Sequence, residues 1–371
     1  MAKKSSTKAT DAKPSRTTPA QLKRSLTRLD RELVKLLNER AATYQQYVQQ
    51  STQAAPRERM QSISERIDPL VSASHGPLPE RALRGALREL ESGCRSLVKP
   101  VRVAYLGPQY SYSYLATVSR FGGSAELQPV TTIATVFEEV DAQRVDYGLV
   151  PIENSTDGRI VDTLDMFARL PVKICGEVQL AIHHNLLGTC QREQITTVYS
   201  KPQALSQCRN WLAHNLPQAK LVEMASTAAA AKRAADEDGT AAIASRQAGI
   251  NCGLDVIAGN IEDNEHNVTR FAVIGHEPAN KTGDDKTALM FELSHQPGSL
   301  ADVMGIFKRT KLNLTWIESF PMPETPNEYL FFVELLGHPQ EARVKRALES
   351  LGKKTVRLDV LGAYARTQPI D

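Results

Sequence analysis

Five times between Val101 and Ser245 an apolar run ends in small polar residues and gives way to a helical pattern. The units are Val101–Leu106 before Gly107–Ser113, Tyr147–Ile152 before Glu153–Gly158, and Thr197–Ser200 before Lys201–Gln203. Leu221–Met224 before Ala225–Thr227 and Thr240–Ala244 before Ser245 complete the set. Each reads as strand, turn, helix, and the repeat predicts an α/β architecture with parallel strands. Such turns aim backbone N–H groups and hydroxyls at an anion. Five of one kind predict a shared anion-binding cleft. The long strand-like stretch Lys173–Leu187 is suited to crossing between two lobes.

Asn267-Val268-Thr269-Arg270-Phe271 places an amide, a hydroxyl and a guanidinium just before the apolar run Ala272–Gly275. Polar side chains at the mouth of a buried strand sit where α/β proteins bind ligands. A threonine can donate to a departing oxygen, and an arginine can hold a carboxylate through two parallel bonds. Read in isolation, the same residues would make a loop threonine and a surface arginine.

The flanking segments differ in pattern. Residues 1–18 are Lys, Ser, Thr, Ala and Pro without an apolar period and read as a disordered basic tail. Residues 19–98 carry three helical patterns, the first with Leu22, Leu26, Leu29 and Leu33 at helical spacing. So thin a helical core predicts pairing with a second chain. Beyond the polar linker Lys281–Asp285, residues 286–366 follow the order βαββαβ, which is ferredoxin-like α+β. A net charge of +3 calls for no nucleic-acid partner, and no apolar run is long enough for a membrane span. Five scattered cysteines suit reduced thiols and a cytoplasmic location. No metal is expected, since neighbours such as His183 and His184 on a strand face opposite ways.

Taken in order, Gly107-Pro108…Ser111-Tyr112-Ser113, Val150–Ser155 with Gly158, Val198-Tyr199-Ser200…Pro202-Gln203 and Thr269-Arg270-Phe271 resemble the motifs of the chorismate mutase–prephenate dehydratase family. The resemblance covers nearly the whole chain. It implies all-α chorismate-mutase-like helices over 19–98 and a two-lobed dehydratase domain, like a type II periplasmic binding protein, over 101–276. It also implies an ACT regulatory domain over 286–366 and turnover of prephenate to phenylpyruvate, water and CO2 without a cofactor. Thr269, Asn154 and Gln203 are the expected catalytic residues. Ser111, Tyr112, Ser113, Ser155, Ser226, Thr227, Arg270 and Phe271 are the expected substrate contacts.

The C-terminal unit carries Gly298-Ser299-Leu300 and Glu318-Ser319, on which the resemblance places L-phenylalanine as allosteric ligand at an interface of a homo-oligomer, dimer or tetramer. Leu300 and Trp316 are expected to flank its side chain. The chain departs from the family at Tyr110, where a glycine is usual, and at Phe320, where an arginine is usual. In the helical unit, Arg40 falls on one of the mutase arginines, and Lys23 or Arg24 lies near another. The expected lysine falls on Ser51, the late glutamine on Val98, and the second-helix charges reduce to Arg57-Glu58-Arg59. Mutase activity is therefore expected to be weak or absent, because the partners of the ether oxygen are missing. The alternatives are a fully bifunctional enzyme and a non-catalytic small-molecule sensor.

Overall fold

The computed structural model describes residues 18–50, 63–156, 158–321 and 329–370. The basic tail through residue 17, Ser51 and Arg57–Arg59 lie outside the described residues. Met1–Thr52 and Gln53–Asp371 form two units.

The first unit is the helix α1 (Pro19–Gln50). Thr18 and Gln21 cap it reciprocally: the Thr18 N–H donates to Gln21 Oε1 at 2.8 Å, and the Gln21 N–H donates to Thr18 Oγ1 at 3.4 Å. Pro19 at the first helical position costs no hydrogen bond. Leu22, Leu26, Leu29, Leu33 and Leu36 form an apolar seam that is exposed along its length.

The second unit begins with α2 (Ile63–Ser72) and α3 (Glu80–Ser96), which pack through Ile67 and Val71 against Leu83 and Leu87. The buried Glu91 is held by Arg66 at 3.0 Å and Arg95 at 3.1 Å. Ser92 of α3 sits against Gly122, where an added Cβ would lie 2.3 Å from the Ser92 Cβ. The three helices foreseen as one unit therefore divide, and residues 63–96 join the α/β body.

In the first lobe, β1 (Arg102–Leu106), α4 (Tyr112–Phe121), β2 (Glu126–Val130), α5 (Ile133–Asp141) and β3 (Tyr147–Asn154) follow in turn. Next come β4 (Gly158–Arg159), α6 (Val161–Arg169) and β5 (Lys173–Ala181). The chain then crosses at residues 182–184 into the second lobe. That lobe holds β6 (Asn185–Gly188), β7 (Thr197–Ser200), α7 (Pro202–Gln207), α8 (Arg209–Asn215) and β8 (Lys220–Glu223). It continues with α9 (Thr227–Ala235), β9 (Thr240–Ala244), α10 (Arg246–Cys252) and β10 (Asp255–Ala258). A second crossing returns the chain to the first lobe as β11 (Val268–Gly275).

The sheets run β2-β1-β3-β11-β5 and β10-β6-β9-β7-β8. They are mixed rather than wholly parallel: β11 is antiparallel to β3 and β5, and β6 is antiparallel to β9. The strand–helix units are parallel as expected, whereas strands fed by a crossing enter from the opposite end. Phe271 and Val273 of β11 pack with Tyr105 and Leu149 on the α4 side, while Ala272 and Ile274 face α5 and α6. That alternation is the period of a strand.

The C-terminal part is β12 (Asp285–Leu293), α11 (Ser299–Arg309), β13 (Leu314–Pro321), β14 (Tyr329–Leu336), α12 (Ala342–Leu351) and β15 (Arg357–Ala365). Its antiparallel order β13-β14-β12-β15 is ferredoxin-like. One face is covered by its own helices through Phe291, Val303, Phe307 and Val344. Met290, Phe320, Phe332 and Leu361 of the other face share a core with Val136, Phe137, Phe167 and Ile174 of the first lobe. Gly362 makes this approach possible, since a Cβ there would sit 2.0 Å from the Ile174 carbonyl oxygen.

Candidate active site

The two crossings and the ends of β3 and β11 bring a set of polar side chains together. Thr269 and Asn154 are opposite one another in the β11–β3 ladder. Asn154 Nδ2 donates to Thr269 Oγ1 at 2.8 Å and to Asn267 Oδ1 at 3.1 Å. The Thr156 N–H donates to Asn154 Oδ1 at 2.9 Å, which fixes the end of the amide that faces Thr269. Asn267 Nδ2 in turn donates to Gln207 Oε1 at 2.9 Å, a residue of the second lobe. Thr269 therefore accepts from Asn154 and keeps its own proton for another acceptor.

The chain of bonds continues. His184 Nε2 lies 2.8 Å from Gln207 Oε1, and His184 Nδ1 lies 3.0 Å from the Tyr112 hydroxyl. Since Gln207 Oε1 can only accept, Nε2 carries the ring proton and Nδ1 faces Tyr112. Glu262, from the second crossing, takes His183 Nδ1 and the His184 N–H, each at 2.8 Å. Burial lowers the His184 pKa below its ordinary value, against the opposing pull of its bond to Gln207. Burial likewise holds the Tyr112 hydroxyl well above its ordinary value. Both groups are neutral near pH 7, so the line from Thr269 to Tyr112 consists of uncharged hydrogen-bonding groups.

The expected site residues are distributed unevenly around this line. Tyr112 belongs to it. Ser111 caps α4 by accepting the Tyr114 N–H at 3.3 Å, and Ser113 is buried. Ser155 pins the return crossing, donating to the His266 carbonyl and accepting the Val268 N–H. Ser226 caps α9 through the Ala229 N–H, and Thr227 behind it is buried. Gln203 is exposed at the start of α7. The glutamine that reaches the site is Gln207, one helical turn later.

Two expected substrate contacts point elsewhere. Phe271 is 1% exposed in the first-lobe core. Arg270 follows Thr269 on a strand and so faces the opposite side of the sheet. There its guanidinium meets Glu153 at 2.7 Å, Glu177 at 3.1 Å and Glu334 at 2.7 Å. Burial works against that charge, but Glu334, Tyr364 and Glu177 outweigh it and hold the pKa above its ordinary value. Glu153 is thereby an ion-pair partner on the far face from Thr269.

Tyr110 stands at φ 65, the left-handed region that glycine tolerates best. Its ring meets Tyr114 edge-on at 5.2 Å and packs on the second-lobe cluster that includes Tyr199 and Ala230.

In the C-terminal part, Gly298 caps α11, followed by Ser299 and Leu300. Glu318 faces the first lobe, where Arg159 lies 2.6 Å away, and Ser319 is exposed. Trp316 does not flank Leu300; it packs edge-on to Phe332 at 4.7 Å beneath the Arg270 guanidinium. Phe320 fills the core shared with the first lobe. Lys23 and Arg40 are exposed on α1.

Gln207 and His184 were not among the expected site residues, and Asn267 was noted only as the amide that opens the Thr269 stretch. Asn267 lies two before Thr269 and shares its side of the chain by strand period. No local signal singled out Gln207 or His184, whose places depend on the lobe crossing.

A two-lobed α/β scaffold with polar side chains gathered at the lobe junction is the kind of architecture that binds small molecules between its lobes. Residues 103–279 match the prephenate dehydratase family. A bifunctional chorismate mutase/prephenate dehydratase of Aquifex aeolicus (strain VF5) is 40% identical over 353 residues, covering 93% of this chain and 97% of the relative. The corresponding protein of Stutzerimonas stutzeri is 38% identical, covering 91% and 95%. The crystal structure of a prephenate dehydratase from Arthrobacter aurescens in complex with L-Phe superposes with a TM-score of 0.68 at 32% identity, covering 73% of this chain and 92% of that one. The chain belongs to the bifunctional chorismate mutase/prephenate dehydratase family, and residues 103–279 form its dehydratase domain.

Proposed function

We propose that prephenate binds at the lobe junction and that Thr269 donates the hydrogen bond under which its ring hydroxyl departs. The C–C bond to the ring carboxylate breaks to release CO2, and its electron pair enters the ring. The ring expels the hydroxyl, which leaves as water once protonated, and phenylpyruvate remains. Aromatisation drives the step, so the protein's task is to place a donor at the departing oxygen and hold the ring still. The observation that carries this reading is the bond from Asn154 Nδ2 to Thr269 Oγ1, which turns the threonine proton outward. Asn267 and Gln207 keep Asn154 in that orientation. With Arg270 engaged by carboxylates, N–H groups of the polar turns are left to hold the substrate carboxylates. Incubation of the purified chain with prephenate tests the reading through phenylpyruvate absorbance. A rate equal to that of buffer would leave the binding-only alternative.

The C-terminal part serves as an ACT domain in this proposal. Its open groove of about 740 Å³, lined by Gln296, Gly298, Leu300, Met304 and Lys308, is suited to an amino acid once a second chain covers it. L-phenylalanine is the ligand proposed, in keeping with the L-Phe complex of the Arthrobacter enzyme. The exposed leucine seam of α1 supports a homo-oligomer. Among the described residues no helix is long and apolar enough to cross a membrane, and a cytoplasmic enzyme is proposed. For residues 19–98 the proposal is weak or absent mutase activity, tested by chorismate consumption in the whole chain; turnover above background would make the enzyme bifunctional. Calorimetric titration with L-phenylalanine alongside the dehydratase assay tests the regulatory part, and no heat with no inhibition would reject it.

A further inference from the structure

The rung beside the Thr269–Asn154 pair joins Arg270 to Glu153 on the opposite face of the sheet. Arg270 Nη2 lies 2.7 and 2.8 Å from the two oxygens of Glu334 on β14. Tyr364 of β15 donates to Glu334 Oε1 at 2.5 Å, and Lys286 of β12 lies 3.0 Å from Glu177. The guanidinium lies 5.5 Å over the Trp316 ring of β13. One side chain from the strand of the catalytic hydroxyl thus meets groups from every strand of the C-terminal sheet or their direct partners.

The Glu177 and Glu334 side chains are 3% and 1% exposed, so salt does not screen these pairs as it would at the surface. Removing one partner of a buried pair leaves the other charge uncompensated, and Arg270 cannot drift from Glu334 without that penalty. A shift of β14 that Arg270 follows would reach the backbone of Arg270, which is bonded directly to Thr269. Substrate positioning tolerates little error, since a displacement of about 1 Å can cost about a hundredfold in rate.

We propose that Arg270 is a positioning residue: its grip on Glu334 ties the Thr269–Asn154 rung to the C-terminal sheet, so the placement of that sheet sets the placement of the catalytic hydroxyl. The inference rests on the dehydratase reading of Thr269 and deepens it. A ligand that shifts β14 would alter turnover through the same side chain, with no contact to the substrate.

The test is steady-state kinetics on prephenate for the full-length chain, Arg270→Lys, Glu334→Gln and the double variant, each checked by thermal unfolding. The expected result for each single variant is a fall in kcat of about ten- to a hundredfold with KM within about threefold. The double variant is expected to be no worse than the worse single one, as for two parts of one device. Tyr364→Phe removes only the hydroxyl on Glu334 and remains usable if the charge variants fail to fold; it is expected to lower kcat by about two- to fivefold at unchanged KM. A rise in KM of about tenfold in Arg270→Lys, with Glu334→Gln silent, would make Arg270 a substrate ligand and overturn the inference. Variants indistinguishable from an active wild type overturn it alone, whereas an inactive wild type overturns the dehydratase reading beneath it.

Discussion

Asn154 Nδ2 and Thr269 Oγ1 lie 2.8 Å apart across neighbouring strands, with the amide held from behind by the Thr156 N–H. The threonine is consequently oriented before any substrate arrives. Preorganised donors of this kind contribute to rate because they need no rearrangement as charge develops.

Replacing Thr269 by alanine is expected to lower kcat by about two to three powers of ten while leaving thermal unfolding nearly unchanged. Serine keeps the hydroxyl and is expected to restore a large part of the activity. Equal inactivity of the serine and alanine variants in a phenylpyruvate assay would remove Thr269 as donor.

The two glutamines of α7 are expected to behave differently. Gln207 receives Asn267 at 2.9 Å and His184 at 2.8 Å, whereas Gln203 is exposed. Gln207→Ala is expected to lower kcat by about tenfold or more, through loss of the hold on Asn267 and Asn154. Gln203→Ala is expected to stay within about twofold of wild type. The reverse ranking would return the role to Gln203.

His184 predicts a pH dependence of stability. Its folded pKa lies below the ordinary 6.5, chiefly through burial, so the unfolded chain binds the extra proton first as pH falls. Its contribution is complete above about pH 6.5 and is lost as pH falls toward the folded value. Thermal midpoints measured from pH 7.5 down to 5 should decline, and His184→Gln should flatten that decline. An unaltered slope in the variant would assign the dependence to other groups.

Gly362 predicts a specific defect in docking of the C-terminal sheet. A methyl group there would lie 2.0 Å from the Ile174 carbonyl oxygen, so Gly362→Ala must push β15 away from β5. Overpacking of this kind costs about 1–3 kcal/mol. Limited proteolysis in the 276–284 linker, which should accelerate in the variant, reports it. Unchanged cleavage and an unchanged thermal midpoint would show that the two sheets separate without cost.

Much of the fold was legible in the chain because its signals are local. The polar ends of the strand–helix units, the crossing at Lys173–Leu187 and the βαββαβ order follow from hydrophobic period and turn chemistry. The places of Asn154 and Thr269 at the ends of apolar runs were legible too, though not that the two stand opposite one another in the ladder. Arg270 was misread as a substrate contact although the rule that separates His183 from His184 separates it from Thr269 as well. Adjacent residues on a strand face opposite ways, and the alternation outweighed the appeal of a hydroxyl beside a guanidinium.

By itself the sequence determined the local chemistry: which segments are strands, where their polar ends fall, and that a hydroxyl and an amide stand at two of those ends. Only the tertiary structure decided the partners. Gln207 and His184 join Asn267 because two chain crossings meet at the lobe junction, and Arg270, turned from Thr269 by the strand period, finds its partner in Glu334 of a distant strand. Such pairings depend on how sheets stack and which way a crossing strand enters, and no short stretch of sequence carries that information.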